Sequence, residues 1–256
     1  MPEWLTAVLL GIVEGLTEFL PVSSTGHLLI AQQWLPRQSD LYNVVIQSGA
    51  VLAVLPLFGD RLRQLANWKD PVGRMVWRHI LIAFAVTAVG GVILDKAGLK
   101  LPETARPVAF ALIMGGILFL FAEARLRGTP GNRSVTSKVA AFVGLSQLVA
   151  AVFPGTSRSG ATILSAMFGG ASRVQATEFS FLVGIPTLLA ASGLKILKSL
   201  RHGVQENWVS LGIATLVAAL VSFVTVKWLL RFVQTHSFVA FGWYRVIVGV
   251  LLLILL

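Results

Sequence analysis

Two carboxylates, Glu14 and Glu18, stand one helical turn apart and are followed by Ser23, Ser24, Thr25, Gly26 and His27. At that spacing the carboxylates share a helix face and repel each other. Their neighbours are apolar, and a charge at the centre of a bilayer costs about 2.5–3.5 kcal/mol even on the mildest scale. A divalent cation between Glu14 and Glu18 would offset that cost, and oxygen ligands suit Mg²⁺ or Ca²⁺. The alternative is a pair that simply reaches the membrane interface. Ser24 and His27 are residue types for a nucleophile and a general acid or base. They equally suit a hydroxyl-rich helix cap after a proline break, with His27 in the first turn.

A second group lies at Pro154-Gly155-Thr156-Ser157-Arg158-Ser159-Gly160-Ala161-Thr162. Gly155 permits a tight turn and close approach of a ligand. Ser157, Ser159 and Thr162 supply hydroxyls, and the helix that follows offers free backbone N–H groups to an anion. Arg158 adds a planar fork of donors suited to phosphate. It could instead neutralise Glu14 or Glu18 as a structural pair, or do both with a ligand inserted between them. Phosphoryl transfer needs positive charge on the phosphate oxygens, an in-line nucleophile and a proton donor for the leaving group. The two groups together hold residues for each task.

The elements that must position them are membrane spans. The chain of 256 residues is 55% hydrophobic and 12% charged, with a mean hydropathy of +0.80. A soluble domain carries about 25% charged residues. Six segments have the roughly 17–25 apolar residues of a span: 41–59, 79–95, 106–124, 174–194, 208–228 and 238–256. Asp60 to Arg78 reads as a polar loop, and Arg125 to Lys138 as the boundary between halves. The net charge of +10 would suggest nucleic acid in a soluble protein. Here the basic residues fall in loops between spans and orient the chain, so no nucleic-acid partner is expected. Placing both termini outside puts the larger share of loop Lys and Arg inside, Arg127 and Arg133 among them, and leaves Lys100 outside. The absence of cysteine excludes disulfides and thiol chemistry. Residues 1–20 lack a basic leading region and a cleavage site, so no signal peptide is expected.

Segments 3–35 and 138–170 are apolar, then broken, then apolar again, which predicts two re-entrant helical hairpins. They also echo each other. Gly11 matches Gly144, Glu14 matches Gln147, Pro21 matches Pro154 and Ser24 matches Ser157, and a further match pairs Gly49 with Gly184. The expected fold is an all-α polytopic membrane protein, a single integral membrane domain over 1–256. It is read as an inverted repeat of 1–124 and 138–256, each a re-entrant hairpin plus three transmembrane helices. Such repeats place their site near the bilayer midplane between the halves.

With Glu14-x-x-x-Glu18, the Ser-Ser-Thr-Gly-His run at 23–27 and the complete Pro154–Thr162 motif, the chain resembles the undecaprenyl-diphosphate phosphatase family, also called the bacitracin-resistance family. The resemblance covers nearly the whole chain. It implies removal of one phosphate from a C55 polyisoprenyl diphosphate, recycling the carrier lipid for cell-wall (peptidoglycan) synthesis. It implies a multi-pass protein of the bacterial inner membrane, an extracytoplasmic-facing site and dependence on a divalent cation, Mg or Ca. A homodimer is left open. Carried over by position, Glu18, Ser24, His27 and Arg158 would be catalytic, with Glu14 assisting or binding metal beside Glu18. Ser23, Thr25, Gly155, Ser157, Ser159 and Thr162 would line the phosphate site. Water activated by Glu18 is the alternative nucleophile. A second family of membrane lipid phosphatases uses a Pro-Ser-Gly-His box and then a Ser-Arg pair followed by a distant catalytic histidine, but here no histidine follows Arg158 until His202, beyond an entire expected span. The rival class is a transporter or flippase of a polyisoprenyl phosphate lipid, since inverted repeats and broken hairpins are transporter features.

Overall fold

Every expected span forms a helix in the computed structural model, which describes residues 1–98, 105–126, 134–201 and 206–255. Lys100, Arg127, Arg133 and His202, and most of the boundary between Arg125 and Lys138, lie outside the described residues. The first half runs α1 (Glu3–Thr17), α2 (Ser24–Ala31), α3 (Asp40–Val54), α4 (Gly59–Ala66), α5 (Pro71–Lys96) and α6 (Ala105–Arg125). The second runs α7 (Ser137–Val152), α8 (Arg158–Phe168), α9 (Arg173–Arg201), α10 (Trp208–Thr235) and α11 (Val239–Leu255). A short 3₁₀ turn joins α3 to α4. No strand occurs among the described residues. Five helical stretches, including α3 continued through α4, are long and apolar enough to cross a membrane. At 17 residues, α11 meets the lower limit of a span.

The segment from 60 to 78 is not the loop expected of it. It contains α4 and the first two turns of α5. Asp70 caps α5 by accepting from the Val72 N–H at 2.9 Å, and Pro71 occupies the first helical position. An Asp-Pro pair of this kind is a strong start signal because proline has no N–H to leave unpaired there.

The two broken segments are pairs of short helices. With 15 and 16 residues, α1 and α7 reach about 22–24 Å at 1.5 Å per residue, less than the roughly 30 Å of a hydrocarbon core. Each packs against its short successor, α2 or α8. Each also rests on a long helix of the opposite half, α1 on α10 and α7 on α5. Glycines permit both approaches. A Cβ at Gly11 would lie 2.6 Å from the Ala214 carbonyl oxygen, and one at Gly144 the same 2.6 Å from that of Ala83. Small residues at such crossings let backbones touch, which is how helices associate in lipid. Likewise α6 and α11 pair through Gly116, Gly242 and Gly249.

Candidate active site

The loops after α1 and α7 end on the described chain's two non-glycine residues of positive φ, Ser23 (φ 76°) and Ser157 (φ 70°). Side chains avoid this region, and holding one there costs about 1–3 kcal/mol. Each serine offsets the strain by capping a helix. Ser23 Oγ accepts from the Gly26 N–H at 3.3 Å, and Ser157 Oγ from the Gly160 N–H at 3.1 Å. The structural counterpart of Ser157 is therefore Ser23, not Ser24. One residue separates Pro21 from its cap and two separate Pro154 from its cap, so the match slips by one inside the loop. The same slip makes Ser24 and Arg158 counterparts, each the first residue of its helix.

Both of these residues converge on Glu18. Ser24 Oγ donates to Glu18 Oε2 at 2.6 Å, and Arg158 Nη2 lies 2.9 Å from Glu18 Oε1. The carboxylate is nearly buried, with its side chain 5% exposed against 13% for Arg158. Arg158 is held by the Ser180 carbonyl at 3.4 Å and the Phe19 ring, whose centroid is 5.9 Å from its Cζ. Its Nε has no partner. Gly184 on α9 leaves room for the guanidinium, since a Cβ there would fall 2.1 Å from Nη1.

This trio opens into a cavity of about 590 Å³, lined also by Ser23, Thr25, Gly155 and Ser157. Further along, the wall is largely apolar, with Phe84, Val92, Leu148, Leu188 and Leu194 from α5, α7 and α9. It reaches Asp95 and Lys198, which pair at 3.4 Å near the C-terminal ends of α5 and α9. Such a space has a polar end for a charged head group and a greasy flank for a chain. Gln47, Thr87, Gln147 and Thr187 add polar side chains that the sequence reading had not placed there.

Four of the expected residues, Ser159, Thr162, His27 and Glu14, do not line the cavity. Ser159 is fully buried; its hydroxyl meets the carbonyls of Glu18 (3.3 Å) and Leu20 (3.0 Å) and so ties the two loops together. Thr162 is also fully buried, bonded to the Arg158 and Ser159 carbonyls and to Ser180 Oγ. Neither lines the cavity; four residues into a helix, a threonine reaches its own preceding turn. His27 does not meet Ser24. Its Nδ1 lies 2.8 Å from the Ser23 carbonyl and its Nε2 2.7 Å from the Tyr244 hydroxyl of α11. A carbonyl only accepts, so Nδ1 carries a proton and donates it to the Ser23 carbonyl. His27 thus braces the strained Ser23 backbone.

Glu14 is fully buried one turn from Glu18, and neither of its oxygens has a partner. A carboxylate left unsatisfied in an apolar interior is costly. Among the described residues no three His, Cys, Asp or Glu side chains group as a metal site. Glu14 and Glu18 are therefore the two protein carboxylates a cation would find here.

Fold and site together define a polytopic helical membrane protein with a serine–carboxylate–arginine centre where two broken helical segments meet. The chain belongs to the bacitracin resistance protein BacA family, whose model matches residues 7–251. It is 51% identical over 255 residues to the undecaprenyl-diphosphatase of Rhizobium johnstonii, covering 98% of this chain and 96% of the relative. It is 50% identical over 258 residues to that of Xanthomonas campestris pv. campestris and 48% over 257 to that of Xylella fastidiosa, each alignment covering 99% of this chain and 98% of the relative.

Proposed function

We propose that this protein hydrolyses undecaprenyl diphosphate to undecaprenyl phosphate and inorganic phosphate, returning the carrier lipid to cell-wall synthesis. The observation that carries the reading is Glu18 bridging Ser24 and Arg158 at the head of the cavity. The diphosphate occupies the polar end and the prenyl chain leaves along the apolar wall. Ser24 Oγ attacks the terminal phosphorus in line and passes its proton to Glu18 Oε2. The bridging P–O bond breaks and undecaprenyl phosphate departs with the proton that Glu18 had taken, which leaves Glu18 ionised again. Water then attacks the phosphoserine and passes a proton to Glu18, the P–Oγ bond breaks, and Glu18 returns that proton to Ser24 Oγ as inorganic phosphate is released. Arg158 holds the oxygens on which charge accumulates. His27, Ser159 and Thr162 keep the two loops in place. A mere carrier has no use for a serine hydrogen-bonded to a buried carboxylate, which favours chemistry over transport.

Glu14 and Glu18 would be the residues to hold a divalent cation, and their oxygen donors suit Mg²⁺ or Ca²⁺. When bound, it supplies charge neutralisation on the diphosphate. The halves are read as an inverted repeat, supported by the matching glycine contacts of α1 and α7. With the termini read as outside, the Asp95–Lys198 pair at the cavity end supports an opening on the extracytoplasmic side of the inner membrane.

The test is phosphate release by purified protein in detergent, where no compartments exist, on a panel of polyisoprenyl diphosphates. Steady release that a chelator abolishes and added Mg²⁺ or Ca²⁺ restores is expected. Binding of the lipid without release would instead support a carrier. In the same assay Gly184→Ala, which forces the Arg158 guanidinium out of position, is expected to lose roughly 10- to 100-fold in rate while eluting from gel filtration as the parent does.

A further inference from the structure

Arg245, in the middle of α11, is fully buried and faces carbonyls rather than a carboxylate. Its Nη1 donates to the Pro21 carbonyl at 3.0 Å. Nη2 is shared among those of Ala111 (3.1 Å), Gly155 (3.1 Å) and Thr156 (2.9 Å), and Nε approaches that of Leu112 at 3.4 Å. Pro21 belongs to the first loop, two residues before the Ser23 cap. Gly155 and Thr156 directly precede the Ser157 cap. One guanidinium therefore joins both strained loops to each other and to α6. The space for it comes from Gly115, where a Cβ would fall 2.1 Å from Nη2. The preceding residue, Tyr244, bonds His27 and so braces the same Ser23 backbone.

We propose that Arg245 is a positioning residue that sets the two loops in register, so that Ser24 and Arg158 meet on Glu18. The proposal rests on the phosphatase reading. A buried cation without a carboxylate is expensive, and a fork of five donors is the side chain best matched to several carbonyls at once. Arg245 does not line the cavity, so the lipid does not touch it. Its loss should therefore slow the chemical step and leave lipid binding nearly intact. Lysine, with three donors on a point charge, should restore part of the function.

Arg245→Met and Arg245→Lys, purified as folded protein, are compared with the parent for kcat and KM on undecaprenyl diphosphate. We expect kcat to fall about 100-fold in Arg245→Met, the scale of a small misplacement of reacting groups. KM should stay within about threefold and Arg245→Lys should lie between. A folded Arg245→Met with near-parental kcat, or one that changes KM alone, overturns the proposal. If Arg245→Met fails to fold, Gly115→Ala keeps the charge and displaces the guanidinium. It should lower kcat at least about tenfold, and an unchanged kcat overturns the proposal. An activity-independent reading comes from spin labels on cysteines placed at Thr25 and Thr156 in this cysteine-free chain. Their distance distribution should broaden when Arg245 or Gly115 is changed, and an unaltered distribution refutes loop registration even if the parent proves inactive. A parent that releases no phosphate, in turn, refutes the phosphatase reading alone.

Discussion

Glu18→Gln is expected to reduce phosphate release by about 10³-fold or more, with the protein still folded. The change is isosteric, so packing around the side chain survives. The amide oxygen can still accept from Ser24, but the group can no longer take the serine's proton, and a lost general base alone costs about 10²–10⁴-fold. The amide NH₂ would also have to face either the Ser24 hydroxyl or Arg158 Nη2, where the carboxylate now accepts on both sides. Arg158 would be left without its counter-charge in a nearly buried site. The measurement is kcat of purified protein together with its melting temperature. A Glu18→Gln protein within tenfold of the parent would remove Glu18 as the proton acceptor.

Arg158→Lys should be nearly as damaging, at roughly 10²–10³-fold in kcat, the scale on which one charge-stabilising donor contributes to a transition state. Lysine keeps the positive charge but not the planar fork that can hold Glu18 and phosphate oxygens at once. Its ammonium can pair with Glu18 and then has little left for substrate, so KM should rise as well. Near-parental turnover would reduce Arg158 to a structural partner of Glu18.

Much of this site was readable before the fold was known, for identifiable reasons. Glu18, Ser24 and Arg158 stood out because polar groups in apolar helices are too costly to keep without use. Their separation of 140 residues between Glu18 and Arg158 was bridged by the echo between the two broken hairpins. Within the loops, however, a residue-by-residue match could not reveal that the second carries one more residue before its cap. It therefore paired Ser24 with Ser157, whereas the backbone pairs Ser23 with Ser157. The direction of a side chain on a short helix was equally hidden. Thr162 and Ser159 carry the hydroxyls of a phosphate site yet spend them on carbonyls. His27 finds Tyr244, 217 residues away, rather than the serine three residues before it. Arg245 was the clearest signal passed over, being an arginine inside the last apolar run, where an ionisable residue is functional by default. Asp70-Pro71 was another, hidden by the charges around it, although it starts α5 eight residues before the apolar stretch begins.

The most direct measurement is a rapid acid quench of purified protein turning over undecaprenyl diphosphate labelled at its terminal phosphorus, followed by mapping of the labelled peptide. The account predicts label on Ser24 during turnover, absent in Ser24→Ala, with that variant nearly inactive and Ser23→Ala much less affected. No phosphoenzyme at any quench time, together with a Ser24→Ala defect of only about 5- to 150-fold, the scale of one lost hydrogen bond of roughly 1–3 kcal/mol, would contradict it and leave water, activated by Glu18, as the attacking group.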